Sequence, residues 1–456
     1  MSDHDFIARR PLVLPLAAFA CALLWLPGCT RVGSGPRGSS LAEGGSAEAT
    51  EVSFHGWRHC CQLSNGLVRV TSVPQVGGRT LEYSLGPYNF LFLGRRELGT
   101  TLADHPDRSY LHFGGHFAQL HPEAKWRTLQ SSYPPDLFMG AYEARILPAQ
   151  DGAAAIEMTA PVDLATGTRL VRKVELFPGS TRVRLTDTLT NVRPVAQEWG
   201  LQDMLQLKGV ASRDGVARGG ERPADRLALY VPLNPGSRFP GGFRAPGSGT
   251  PGSLGGQWSA TELPGILTLH YRRQFDKVVV DPCLPWIALA DREAGCVFVQ
   301  RCRAPEKAVL TAGPPLTDYP FIEVQCFGPL GSLPPGGATT LVQEWYAARC
   351  AGPVVDVTSA GVVASPLTLL AGGGKTWVAG SFGVFYAGRA AVVFRGADGA
   401  ELARLDCGPV DPLHPFALNR AVELPPKMAE AVLELSGPAG KSLGHLGRIL
   451  LRGVRP

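Results

Sequence analysis

An acidic side chain stands in the middle of an apolar strand pattern, Phe321-Ile322-Glu323-Val324-Gln325-Cys326-Phe327. A carboxylate between isoleucine and valine costs free energy unless it faces a cleft or a partner. Glu323 is therefore the residue best placed to act as a general base or to accept hydrogen bonds from a hydroxylated ligand. Three other clusters carry groups of related chemistry. Val73-Pro74-Gln75-Val76-Gly77-Gly78-Arg79 follows Ser64-Asn65-Gly66-Leu67. His112-Phe113-Gly114-Gly115-His116 continues to His121-Pro122-Glu123-Ala124-Lys125-Trp126, and Thr190-Asn191 leads to the stretch from Trp199 to Gln206. Trp126, Trp199 and Tyr319 could offer flat faces to sugar C–H groups, while Arg79, Glu323, Gln202 and Asp203 could pair with vicinal hydroxyls. Each has a plain structural alternative: tryptophan as core, and Gly77-Gly78 as a strand bulge.

Several chemistries have no support. There is no G-x-S-x-G elbow, and Gly374-Lys375-Thr376 has Leu369 where a phosphate loop needs glycine. His59-Cys60-Cys61 lacks the paired ligand spacing that completes a metal site, so neither a metal nor another cofactor is expected. The 44 basic and 39 acidic side chains are spread along the 456 residues, without the concentrated basic face of a nucleic-acid binder.

The elements that must position these groups are strands. With 55 glycines and 39 prolines, about a fifth of the chain favours turns, well above the roughly 12% of an average protein. Period-two alternation is clear from Arg182 to Leu189, which forms a hairpin with Leu170 to Phe177 across Pro178-Gly179-Ser180. Further strand patterns recur to Thr340–Tyr346, and Ser237 to Gly256 is expected to be a long loop. Shorter strands, with Asp398-Gly399 as a hairpin turn, fill residues 353–456 and predict a small C-terminal β-sandwich.

Between about Ser64 and Glu344 these motifs resemble the galactose-mutarotase-like superfamily, and within it a bacterial lipoprotein group. The resemblance implies an all-β chain, with an antiparallel β-supersandwich over residues 52–350 that binds a pyranose in a shallow cleft. It implies that Arg79 is a sugar-contacting basic residue, that Gly114-Gly115-His116 is the family's glycine-pair and histidine segment, and that Glu323, in its Glu-x-Gln setting with Gln325, is the catalytic base. Aligning Glu198 to Leu207 with the family's histidine strand puts Gln202 where the general acid belongs. A glutamine amide donates a hydrogen bond but transfers no proton, and losing a general acid costs about 10²–10⁴ in rate. Asp203 and His116 are the substitute acids that the sequence offers.

At the N-terminus Arg9 and Arg10 precede an apolar run from Leu12 to Leu26, too short for the roughly 20 residues of a membrane span but suited to a signal peptide. Its ending, Leu26-Pro27-Gly28-Cys29, resembles a lipobox. Residues 1–28 are thus expected to be removed, Cys29 to carry lipid, and residues 29–51 to form a flexible tether. Thr30 after the cysteine implies the outer membrane, facing the periplasm. With Cys21 removed and Cys29 lipidated, Cys60, Cys61, Cys283, Cys296, Cys302, Cys326, Cys350 and Cys407 remain, an even set from which disulfides are expected in an exported protein.

The leading expectation is a lipid-anchored carbohydrate-binding protein, favoured over an enzyme because of Gln202. An aldose 1-epimerase with Glu323 as base, and a structural envelope lipoprotein with a vestigial cleft, are the alternatives. The oligomeric state stays open. Replacing the lipidated residue, Cys29→Ser, is expected to release the protein from membranes in a high-salt fractionation. Full retention would refute lipidation.

Overall fold

The computed structural model describes residues 45–129, 133–210, 212–216, 226–245, 256–272, 275–281, 286–302, 307–312 and 319–451. The expected signal segment, Cys29 and Cys283 lie outside the described residues. The strand Glu48–Phe54 pairs antiparallel with Trp57–Ser64. Structure thus begins before the tether boundary expected at residue 51, because Ala49, Val52 and Phe54 pack against the core.

The all-β expectation holds. Two large sheets, twelve-stranded and ten-stranded, consist of antiparallel neighbours, and two four-stranded sheets built from residues 356–450 follow as a C-terminal β-sandwich. Alternation explains the elements. Thr168–Leu176 and Val183–Asn191 pair from Leu176↔Val183 to Thr168↔Asn191, with Leu170, Val174, Leu176, Val183, Leu185 and Leu189 on one buried face. Within the expected 237–256 loop, Phe243–Arg244 forms a two-residue strand on Asp276–Val280. Residues 246–255 lie outside the described residues.

The inner faces of the two large sheets enclose an apolar core that includes Leu81, Tyr83, Phe298 and Trp345. A polar layer crosses it. Arg172 of the ten-stranded sheet donates from Nε to Asp187 at 2.7 Å and from Nη2 to His116 Nδ1 at 2.7 Å. The same guanidinium donates to the carbonyls of Gly78 and His116, all on the twelve-stranded sheet side. Asp203 accepts from the Cys326 backbone amide and from Gln300, and Gln300 also donates to Gln343. These groups are at least 99% enclosed. Their desolvation is tolerable only because each charge meets a hydrogen-bonding partner.

The outer face of the ten-stranded sheet is covered in part by the C-terminal sandwich. Tyr230, Trp286, Val297, Val299 and Tyr346 pack with Val354, Val357, Val362 and Phe385. Thr181 fixes the junction, donating through Oγ1 to the Ala347 carbonyl at 2.8 Å and through its backbone amide to the Phe385 carbonyl at 2.9 Å.

The disulfide expectation is overturned for the described cysteines: Cys60, Cys61, Cys296, Cys302, Cys326, Cys350 and Cys407 are all free thiols. Adjacent Cys60 and Cys61 point to opposite faces of one strand and cannot bridge. Burial pushes the thiols of Cys60 and Cys296 up to about 11, which suppresses the thiolate that oxidation requires.

Removing one partner of the inter-sheet ion pair, Asp187→Ala, leaves a buried arginine uncompensated and is expected to cost about 3–5 kcal/mol in denaturant unfolding. The paired replacement Arg172→Met with Asp187→Leu should cost less than Asp187→Ala alone. A loss under 1 kcal/mol for Asp187→Ala would contradict this account.

Candidate functional site

The strands Gly115–His121, Gln197–Lys208 and Phe321–Phe327 lie side by side in the twelve-stranded sheet, followed by Lys307–Ala312, Asp276–Val280 and Phe243–Arg244. Their phase decides which residues can meet a ligand. Leu201, Leu205 and Leu207 join the core, as do Ile322, Val324 and Cys326. Gln202, Met204 and Gln206 therefore project from the outer face beside Glu323, Gln325 and Phe327. A groove of about 690 Å³ opens on this face, lined by His121, Glu123, Gln202, Arg238, Phe239, Arg244, Lys277, Val279, Val309, Gln325 and Phe327.

Glu323 sits beside Gln325 at the inner end of this row and is 9% exposed. Gln206 Nε2 donates to one carboxylate oxygen at 2.9 Å and Gln325 Nε2 to the other at 2.6 Å. Burial raises its carboxyl above the ordinary range, against the opposing pull of these two amides and of the Lys277 and Arg79 charges. A carboxylate held by neutral donors, with raised proton affinity, is suited to accept a hydroxyl hydrogen bond or to take up a proton.

Gln202 and Gln325 line the groove as the sequence anticipates. The other expected site residues do not. His116, the candidate second catalytic group, lies between the sheets, fully enclosed, because it shares the phase of Ala118 and Leu120. Its Nδ1 lies 2.7 Å from Arg172 Nη2, and its Nε2 lies 2.9 Å from Gln343 Nε2 and 4.0 Å from Asp203. Burial, then the charges of Arg172 and Arg79, pushes its pKa well below the usual value. Asp203 faces inward with Leu201 and Leu205, and burial raises it to about 7. Neither is the missing acid of the cleft.

Trp126 and Trp199 are core residues, both 0% exposed, rather than sugar platforms. Trp126 donates to the Leu120 carbonyl, and Lys125 Nζ lies 4.1 Å from the Trp199 ring. Tyr319 is buried as well, donating to Glu97. Arg79 is enclosed too: its guanidinium lies 3.7 Å from the Phe117 ring and donates to the carbonyls of Gly114 and Phe138. It touches no open space and acts on Glu323 through its charge. Gly77-Gly78 is a close approach rather than a bulge, since a Cβ on Gly77 would stand 2.3 Å from the Phe138 carbonyl oxygen.

The outer face and its surroundings also carry residues not singled out from the sequence. Gln119 and Gln206 share the outer phase fixed by Glu323, a signal available in the alternation itself. Lys277, Arg238, Arg244 and Phe239 come from a short strand and a turn with no such pattern. His121 brings an imidazole to the groove, with Nε2 2.9 Å from the Gly328 carbonyl oxygen. His112 stacks on Tyr319 at 4.4 Å, and burial, then Arg79 and Arg108, lowers its pKa to about 4, so the ring is neutral at pH 7.

No family model matches the sequence, and no curated protein matches it. Solved structures do. The protein is similar in structure to galactose mutarotase-like proteins. One, from Clostridium acetobutylicum, is 11% identical over 67% of this chain and 99% of that one, with a TM-score of 0.49. A second, from Lactobacillus casei, is 12% identical over 63% and 99%, with a TM-score of 0.40. A candidate aldose 1-epimerase from Klebsiella pneumoniae is 9% identical over 67% and 84%, with a TM-score of 0.45.

Asp203 provides a pH test of its inward placement. The folded state holds its proton up to about pH 7, whereas the unfolded carboxyl releases it near its ordinary value of 3.8. Between these values the native state binds the extra proton, so this group's contribution to stability falls as pH rises from about 4 to 7. Asp203→Asn should remove that slope in thermal unfolding from pH 4 to 7. A variant whose pH profile parallels the wild type would refute the assignment.

Proposed function

We propose that this protein binds carbohydrate in the outer-face groove and is held at the outer membrane, facing the periplasm, through lipid on Cys29. The carrying observation is the buried Glu323 carboxylate, pinned by Gln206 and Gln325, at the inner end of a row of side-chain amides. Gln202 and Gln325, which line the groove, each carry a donor and an acceptor, the pairing that vicinal hydroxyls require. Phe327 and Phe239 supply apolar surface for C–H groups, and a volume of about 690 Å³ is within the range of small-ligand clefts.

Binding without turnover is favoured by the proton inventory. Glu323 can take a proton, but Gln202 cannot supply one, and His116 and Asp203 are committed to the inter-sheet layer. The one observation that favours an aldose 1-epimerase is His121, an imidazole on the groove wall.

Calorimetric titration of the detergent-solubilised chain with a panel of hexoses and oligosaccharides tests the proposal. Glu323→Ala is expected to weaken binding by about 1.5–3 kcal/mol, roughly ten- to a hundredfold in Kd. The melting temperature should change little, because removing a desolvated carboxylate offsets the lost contacts. In polarimetry on fresh α-D-glucose and α-D-galactose the wild type should match the buffer blank. Rates well above the blank, lost in Glu323→Ala and His121→Ala, would establish the epimerase instead. A chain that binds no saccharide would leave the structural role.

A further inference from the structure

The wall of the groove opposite the amide row is basic. Arg244 and Lys277 both line it, from adjacent antiparallel strands. Arg244 pairs with Val279, so Lys277 is its diagonal neighbour on the same face, with Cα atoms about 7–8 Å apart. Arg238 adds a third cation and is 61% exposed at its side chain. Phe239 lies between the two arginines, its ring centroid 5.0 Å from the Arg238 guanidinium carbon and 5.9 Å from that of Arg244.

Nearby acids offset this wall only in part. Among the described residues, neither Arg244 nor Lys277 makes an ion pair. Asp281 stands 3.8 Å from Arg238 Nε and offsets that cation, while its oxygens also accept from the Ser237 hydroxyl and the Arg238 backbone amide. Glu123, the one carboxylate lining the groove, is paired with Arg127 at 2.6 Å. Glu323 does not line the groove; it accepts from two amides and feels the charge of Lys277, its strand register partner across Thr311. Like charges set side by side on a sheet repel and are tolerated best when an anion lies between them.

We infer that the saccharide of this groove carries an acidic substituent, a carboxylate or a sulfate, that docks between Arg244, Lys277 and Arg238. This inference rests on the groove being a saccharide site, and it also fixes an orientation. The oxyanion lies at the basic wall, and the ring hydroxyls meet Gln202 and Gln325. Arginine gives the bidentate geometry that carboxylate and sulfate share, and lysine adds a point charge.

Matched pairs test the inference by calorimetry on the detergent-solubilised chain: glucose against glucuronate, galactose against galacturonate, and glucose against glucose 6-sulfate. The acidic member of at least one pair should bind tenfold or more tightly, and raising salt from 50 to 300 mM should erode that advantage. Arg244→Met with Lys277→Met should bring the acidic-to-neutral ratio close to one. Glu323→Gln should weaken both members of a pair while preserving the ratio. An advantage confined to uronates marks a carboxylate site, and one shared by the sulfate marks a general oxyanion site; both support the inference. Equal binding within every pair, or a ratio unchanged in the double variant or by salt, overturns it and leaves the saccharide site standing if Glu323 still matters. No binding of any sugar overturns both.

Discussion

The inter-sheet contact between Arg172, Asp187 and His116 constrains everything else in the large sandwich. One guanidinium ties a carboxylate on its own sheet to an imidazole and two carbonyls on the other. A buried ion pair of this sort is a weak source of net stability, since hydrophobic replacements of similar volume can do as well. It is demanding about register, however, because a one-residue slip of the His116 strand would turn the imidazole outward and leave the arginine unmet. The same register sets Gln206 opposite Glu323, where its amide reaches the carboxylate.

The two faces of the twelve-stranded sheet therefore divide the polar residues by task. Inward groups are closed against one another: Asp203 takes the Cys326 amide and a Gln300 donor, and Gln300 passes a hydrogen bond to Gln343. Outward groups keep unused capacity. Gln202 donates to the soft Met204 sulfur at 3.3 Å, and among the described residues Arg244 and Lys277 make no ion pair. Open donors of this sort are what a ligand can exploit without first breaking protein contacts.

Much of this was legible in the chain. Alternation marked the hairpin of 168–191 and most strands, and the cost of a charge between Ile322 and Val324 marked Glu323. What failed was the assignment of side. His116 and Asp203 looked like site residues because they are polar and lie in the right strands, yet their phase partners, Ala118 with Leu120 and Leu201 with Leu205, are apolar and buried. Composition near each residue could not show that an arginine and two glutamines from distant strands would satisfy them. The tryptophans were misjudged for a related reason: a large ring fills a wide sandwich as readily as it serves a sugar. The basic wall was hidden because Arg238 and Arg244 sit on a turn and a two-residue strand, where no period is long enough to be read.

The cover that the C-terminal sandwich forms over the ten-stranded sheet has a consequence for biogenesis. That sheet is complete once Arg349 is in place, but Tyr230, Trp286, Val299 and Tyr346 remain unshielded until Val354 to Phe385 follow. A chain synthesised N-terminus first thus passes through a stage with the outer-face groove finished on one side and a sticky apolar sheet on the other. Holdase chaperones would find their target in that interval, and a gene truncated near residue 350 would yield material prone to clump.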